Sequence, residues 1–387
     1  MKGHIRERSP GHWAIVIDAH DAQGQRKRRW HSFAGTKREA QIERARLITE
    51  AQNGNTVDPS RITVDAFLDR FLSDWVALHT AARTAERYAC SIAHVRRHLG
   101  DRRLQSLRPA DVAALYAALS KVGLAARTVK HVHVVLHRAL GQAKVWALVK
   151  DNVAEMVKPP TAAAEEAKIL QPDQARELLA RLHGHPLYLL ASLGLATGMR
   201  RNEMLALRWR DLDLDAGRLT VEQALEQTRA HGIRTKAPKT KHGRRTISLP
   251  AHIVVELRDH WRAQQEQRMM LGMGRSPDAS TVLANHDGTP QTPDTVSKAW
   301  ERTMDAIGWP EITLHSLRHT HASVLIASGM DILTISRRLG HANPTITLNV
   351  YGHLVHGSDD RAAKVMDAAF GAQSVAALAA PNLVAKW

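Results

Sequence analysis

Apolar positions recur along this chain with two periods, and the change of period divides it. The stretches His12 to Asp18 and Arg26 to Phe33 are rich in β-branched, aromatic and alternating residues and predict two strands, joined by a turn at Asp21-Ala-Gln-Gly24. Thr36-Lys-Arg-Glu39 then has the spacing of a capping box, which predicts a helix to about Asn53 with Gly54 as its stop. From Ile62 the period becomes helical. Val64, Phe67, Leu68, Phe71, Leu72, Trp75 and Leu78 fall on one stripe, a packed face. Further helices are predicted over Thr84 to Leu99, Pro109 to Lys121 and Ala126 to Leu148, with Gly100 and Gly123 as stops.

Lys158-Pro-Pro-Thr-Ala-Ala-Ala164 is a linker in composition, stiff at its prolines and small-residued after them. Beyond it, helices are expected over Pro172 to Leu182 and Leu187 to Ala196. Strands are expected over Arg218 to Leu225 and Arg245 to Leu249, flanking a polar, Lys-rich connection, and helical patterns then run to about Ala369. The expected fold class is multidomain: a small α+β N-terminal domain (1–56), an all-α domain (62–158), and a mainly α domain with a small β-sheet (165–372), followed by a tail (373–387).

Composition narrows the partner. Against 38 acidic residues stand 54 lysines and arginines, a net charge of +16 over 387 residues, which points to a polyanion. No window approaches the roughly 18–20 apolar residues that span a bilayer, and the charged start from Met1 to Pro10 lacks a signal-peptide core, so a cytoplasmic protein with no membrane partner is expected. The lone Cys90 excludes a disulfide framework and a Cys-rich zinc module. Candidate DNA contacts are Arg28 and Arg29, in a basic strand ending at Trp30, Arg96, Arg127 and Lys130 on the helices, and Lys241 in the Lys-rich connection. The strand equally suits a solvated charged edge.

Four segments of the last domain concentrate phosphate chemistry. In Thr197-Gly-Met-Arg-Arg-Asn-Glu203, Gly198 permits a turn, Arg200 can bond two phosphate oxygens, and Glu203 can hold it in place. In Pro238-Lys-Thr-Lys-His-Gly243, between the two candidate strands, either Lys239 or Lys241 at a hairpin tip could donate a proton. In Leu314-His-Ser-Leu-Arg-His-Thr-His321, His315 and Arg318 share a helix face. His315, His319 and His321 also invite a metal reading, but Arg318 would stand among the ligands and no carboxylate completes the set, so neither metal nor other cofactor is expected. The fourth segment runs from Leu339-Gly-His341 to Tyr351. Of four tyrosines, Tyr88, Tyr116 and Tyr188 lie inside apolar helical patterns, whereas Tyr351 is flanked by Gly352 and histidines. A phenol with its ordinary pKa near 10 needs positive charge or a base nearby to attack at neutral pH.

In this order the four segments resemble the tyrosine recombinase (phage integrase) family. The resemblance implies that Arg200 and Arg318 bind the scissile phosphate, Lys239 protonates the leaving 5′ oxygen, His315 and His341 complete the site, Glu203 supports Arg200, and Tyr351 is the nucleophile. It further implies an arm-type DNA-binding domain, a helical core-binding domain, and a homotetramer on double-stranded DNA at core and arm attachment sites. An excisionase and a DNA-bending host factor would be possible accessories. Asn202 departs from the glycine that many relatives carry in this turn. A recombinase mobilising another kind of element, a DNA-binding protein without catalysis, and a metal-dependent nuclease are the competing expectations.

Overall fold

Trp13-Ala-Ile-Val-Ile17 is buried at every position, the mark of a strand covered on both sides. In the computed structural model, which describes residues 3–20, 26–52, 57, 59–161, 168–238, 241–352 and 358–370, this run is the middle of a three-stranded antiparallel sheet. The strands are β1 (Gly3–Ser9), β2 (His12–His20) and β3 (Arg26–Ala34), with Ile15 facing Ile5 and Val16 facing Trp30. The sequence expectation omitted β1, because Gly3-His-Ile-Arg-Glu-Arg-Ser9 has one large apolar residue and reads as a charged segment. Helix α1 (Lys37–Gln52) packs on the sheet and starts at the expected box. There the Glu39 carboxylate accepts from the Thr36 amide at 2.8 Å and hydroxyl at 2.9 Å, and the Glu39 amide donates back to Thr36 Oγ1 at 3.3 Å. The predicted turn at 21–24 and stop at Gly54 lie outside the described residues.

The chain forms two compact units, Met1–Ala164 and Glu165–Trp387. The rest of the first unit is helical: α2 (Val64–Arg70), a π-helical stretch Phe71–Val76, α3 (Ala77–His79), α4 (Ala82–Leu99), α5 (Pro109–Lys121) and α6 (Ala126–Val145). The π-helical stretch corrects the predicted stripe. Its wider turn shifts the phase, so Val76 is buried and Leu78 is 78% exposed. The last helix also stops earlier than expected, because Ala147 turns to a positive φ of 54° and the Leu148 amide returns to Ala143 O. Tyr88 and Tyr116 are core residues, the Tyr116 hydroxyl lying 2.7 Å from His133 Nδ1.

In the second unit α7 (Pro172–Arg181) precedes α8 (Tyr188–Thr197), whose residues Leu189 to Gly194 are all buried, and α9 (Arg201–Met204) is one short turn after it. The predicted strand over Arg218 to Leu225 is two strands. Strand β5 (Arg218–Val221) lies between β4 (Leu212–Asp213) and β8 (Arg245–Ser248), whereas β6 (Ala224–Thr228) pairs with β7 (Gly232–Lys236) in a separate hairpin. Strands β7 and β8, on either side of the Lys-rich connection, therefore belong to different sheets and do not form the expected hairpin. The break falls at Glu222-Gln223, where Gln223 Nε2 bonds Ala206 O at 3.0 Å. Helices α10 (Ala251–Met270), α11 (Pro293–Ala306), α12 (Leu314–Ala327), α13 (Ile332–Leu339), α14 (Pro344–Tyr351) and α15 (Ser358–Phe370) complete the unit. No described helix is long and apolar enough to cross a membrane.

The phase shift in the first unit has a direct test. Val76→Ala should lower the free energy of unfolding in urea by about 2 kcal/mol and Leu78→Ala by less than about 0.5 kcal/mol. The reverse order would restore the unbroken stripe.

Candidate active site

Two left-handed glycines shape the site. At Gly198 (φ 64°) the chain leaves α8, and a Cβ there would stand 2.7 Å from the His321 ring and from Leu339. At Gly340 (φ 68°) it leaves α13, and a Cβ would stand 2.8 Å from Arg245 Nη1 and 3.0 Å from His242 O. Both turns thus permit an approach that a side chain would block.

Between them lies Arg318, 2% exposed on α12. Its Nη1 donates to Gly198 O at 2.6 Å and its Nη2 to Leu339 O at 2.7 Å, so one guanidinium ties the ends of α8 and α13 together. Burial first, and the Arg200 and Arg245 charges next, bring its pKa down to about 9. Arg200 caps α9 with its side chain 42% exposed, donating to Glu203 Oε1 at 2.8 Å, while Glu203 Oε2 accepts from the Arg200 amide at 3.0 Å. The same oxygen accepts from Arg245 Nη2 at 2.8 Å. Burial alone would push the Glu203 carboxyl up; the Arg245 and Arg200 charges outweigh it and hold the pKa below the ordinary 4.5. Asn202 needs no glycine-like geometry: its φ is negative and its Oδ1 accepts from Arg201 Nε at 2.9 Å.

The histidines part company. His315 opens α12 with its ring edge-on to His319, centroids 4.6 Å apart; desolvation and then the Arg318 and Arg200 charges lower its pKa. His341 Nδ1 lies 2.8 Å from Thr347 Oγ1, and burial followed by the Arg318, Arg200 and Arg245 charges takes it to about 4. His321 faces away. Its Nδ1–H donates to Leu195 O at 2.7 Å and Nε2 accepts from Arg338 Nε at 3.1 Å, which fixes a neutral tautomer behind Gly198. Tyr351 ends α14, 2% exposed, its hydroxyl 2.7 Å from His319 Nδ1. Burial pushes the phenol up to about 12, against an opposing pull from Arg318.

Six of the seven expected catalytic residues (Arg200, Glu203, His315, Arg318, His341 and Tyr351) therefore share one electrostatic neighbourhood. Lys239 lies outside the described residues, as do the side chains of Lys241 and Arg29. Of the other expected DNA contacts, Arg28 is exposed and 3.7 Å from Asp18, and Arg127 and Lys130 are exposed on α6. Arg96 is instead engaged by Asp65 at 3.1 Å and by Asp69.

Sequence reasoning missed Arg245 and Arg338. Arg245 donates to Arg338 O at 2.6 Å and Gly243 O at 3.2 Å as well as to Glu203; Arg338 reaches Ala196 O at 3.0 Å and Ser248 O at 3.2 Å. The signal for Arg245 was present, since it shares strand parity with Ile247, which is buried. Together these side chains gather positive charge around a single buried carboxylate, an arrangement suited to holding an anion.

Residues 168–357 match the phage integrase family. The chain is 30% identical over 350 residues to an integrase of Streptomyces ambofaciens, covering 87% of each. It is 24% identical to a XerC-like tyrosine recombinase of Caldanaerobacter subterraneus (87% of this chain, 91% of the relative). To the ICEBs1 integrase of Bacillus subtilis it is 27% identical, covering 68% and 72%. Among solved structures it resembles the Tn1549 transposon integrase in complex with transposon right end DNA, with a TM-score of 0.67 at 20% identity (79% of this chain, 99% of that one). It also resembles a lambda integrase tetramer bound to a Holliday junction, with a TM-score of 0.56 at 18% identity (89% and 94%).

The histidine shifts predict a pH dependence of stability. His319, His321 and His341, all near 4 rather than 6.5, stay neutral in the fold and take up protons on unfolding. Their contribution is complete above pH 6.5 and is lost as pH falls toward 4. Urea unfolding should show stability declining over that interval; a flat profile would contradict the neutral assignments.

Proposed function

The chain belongs to the phage integrase family of tyrosine recombinases, and we propose that Tyr351 is its nucleophile, breaking and rejoining DNA to integrate and excise a mobile element. The protein is a site-specific integrase; the residue roles are our reading. The observation that carries it is Arg318. Buried and fixed to Gly198 O and Leu339 O, it draws Arg200, His341 and Tyr351 around one point of high positive charge.

A DNA phosphate there meets Arg318, held rigid, and Arg200, whose side chain is partly open to solvent. Preorganised cations stabilise the charge that grows on the phosphoryl oxygens as the phosphorus becomes five-coordinate. Tyr351 Oη attacks, giving a 3′-phosphotyrosyl link, and the 5′ oxygen leaves with a proton from Lys239. Because the covalent link conserves the energy of the broken bond, rejoining needs no ATP. His315 and His341, neutral at working pH, serve as hydrogen-bonding groups beside the phosphate. Glu203, through Arg200 and Arg245, keeps the cluster together in the absence of DNA.

Two sequential pairs of strand exchanges would proceed through a Holliday junction in a homotetramer, the assembly in which lambda integrase was solved. The domains divide the work: 1–56 on arm sites, 62–158 on core sites, 165–372 for catalysis, and 373–387 as a tail outside the described residues. The exposed Trp30, with the Arg8 guanidinium 5.9 Å from its ring and Arg28 nearby in β3, supports an arm-site role for the sheet. An excisionase and a host bending factor are the expected accessories, in the cytoplasm of a bacterial host.

On a core-site substrate nicked to trap the intermediate, the wild-type protein should form a covalent adduct and Tyr351→Phe none; an adduct from the variant would dismiss the nucleophile. Removing residues 1–54 should weaken arm-site binding and leave core-site cleavage intact. Core-site affinity should fall with salt at a log–log slope of about −0.9 per phosphate contacted.

A further inference from the structure

One polar contact of Tyr351 has no part in the scheme above. The Tyr351 hydroxyl lies 2.7 Å from Nδ1 of His319, with ring centroids 5.5 Å apart. His319 follows Arg318 on α12, and its other neighbour is the His315 ring at 4.6 Å. Among the described residues, the charged and titratable groups facing it are thus His315 and Arg318 from its own helix and Tyr351 from α14.

We propose that His319 is the base of the cleavage step, its Nδ1 taking the phenolic proton as Tyr351 Oη attacks the phosphorus. This rests on the reading of Tyr351 as nucleophile. The O–P bond forms from Oη, the bond from phosphorus to the 5′ oxygen breaks, and its electron pair leaves with that oxygen, which is protonated by the acid on the lysine segment. The phenolic proton stays on His319 and returns to Oη when the strand is rejoined. The geometry meets the first requirement of a base, hydrogen-bond reach of the proton it removes.

The surroundings also keep the phenol protonated before DNA binds. Burial, then His315 and Arg318, hold the His319 pKa at about 4, while burial holds the phenol at about 12, so the proton stays on Tyr351. A phosphate between Arg318 and Arg200 offsets the Arg318 charge, which adds to burial in depressing His319, and formation of the O–P bond acidifies the phenol. Both changes favour transfer once substrate is seated. A tyrosine held by a neutral acceptor for position alone would show neither response.

The test is single-turnover adduct formation by the full chain on the nicked core site. His319→Asn keeps an acceptor near the Nδ1 position but is not basic. It should bind core-site DNA as wild type does and cleave about 100-fold more slowly. Placing difluorotyrosine, a more acidic phenol, at position 351 should restore about tenfold or more of that loss at pH 8, and should change the rate of the His319-containing protein by less than about threefold. If H319N does not fold, His319→Gln takes its place with the same outcomes. Cleavage by the variant within about threefold of wild type, or an equal response of both proteins to the acidic phenol, would overturn the proposal. An adduct from Tyr351→Phe would overturn the nucleophile itself, which is a separate result.

Discussion

A buried guanidinium bonded to two backbone carbonyls holds the candidate active site in shape. Arg318 cannot be removed from water without partners, and the partners it takes are Gly198 O and Leu339 O, at the ends of two different helices. The remaining geometry follows from that choice. The chain must turn sharply at both carbonyls, hence left-handed glycines at 198 and 340, and the residues just after those turns, Arg200 and His341, are carried to the same place. Tyr351 then packs against the assembled floor with Ala322, Ile335 and Leu339.

Electrostatically the arrangement is lopsided. Arg200, Arg245 and Arg318 share Glu203, and the histidines around them are held neutral, so more positive charge is collected than the protein neutralises. Burying Arg318 and setting it beside other cations both cost stability, and its lowered pKa records burial first and the Arg200 and Arg245 charges next. On the proposed reading, a phosphodiester is the counter-ion that this cluster takes. Burial first, then His315 and Arg318, keeps His319 non-basic beforehand, so a bound anion beside Arg318 would relieve only part of that depression.

Much of this was legible in the sequence because the relevant residues sit at turns and helix starts, where residue type is strongly constrained. Gly198 before Arg200, the spacing of His315 to Arg318, and Leu339-Gly-His341 before Tyr351 could all be read directly. What escaped depended on tertiary context. Strand β1 is polar because it is an edge whose burial is supplied by β2, and the π-helical turn at Phe71–Val76 leaves no compositional trace. Arg245 and Arg338 sit beside Arg244 and Arg337, and strand parity for Arg245 and the fold for Arg338 distinguish the less exposed member of each pair from its neighbour. The pairing of His319 with Tyr351 joins residues 32 apart and is a fact of packing alone.

The central claim is that Arg318 both organises the fold around the site and grips the substrate. A structure of the chain trapped on core-site DNA measures this directly. The account predicts a scissile phosphate bonded to Arg200 and Arg318, within bonding reach of Tyr351 Oη, with Arg318 still donating to Gly198 O and Leu339 O. A phosphate seated away from Arg318, or an Arg318 released from those two carbonyls to reach it, would contradict the account.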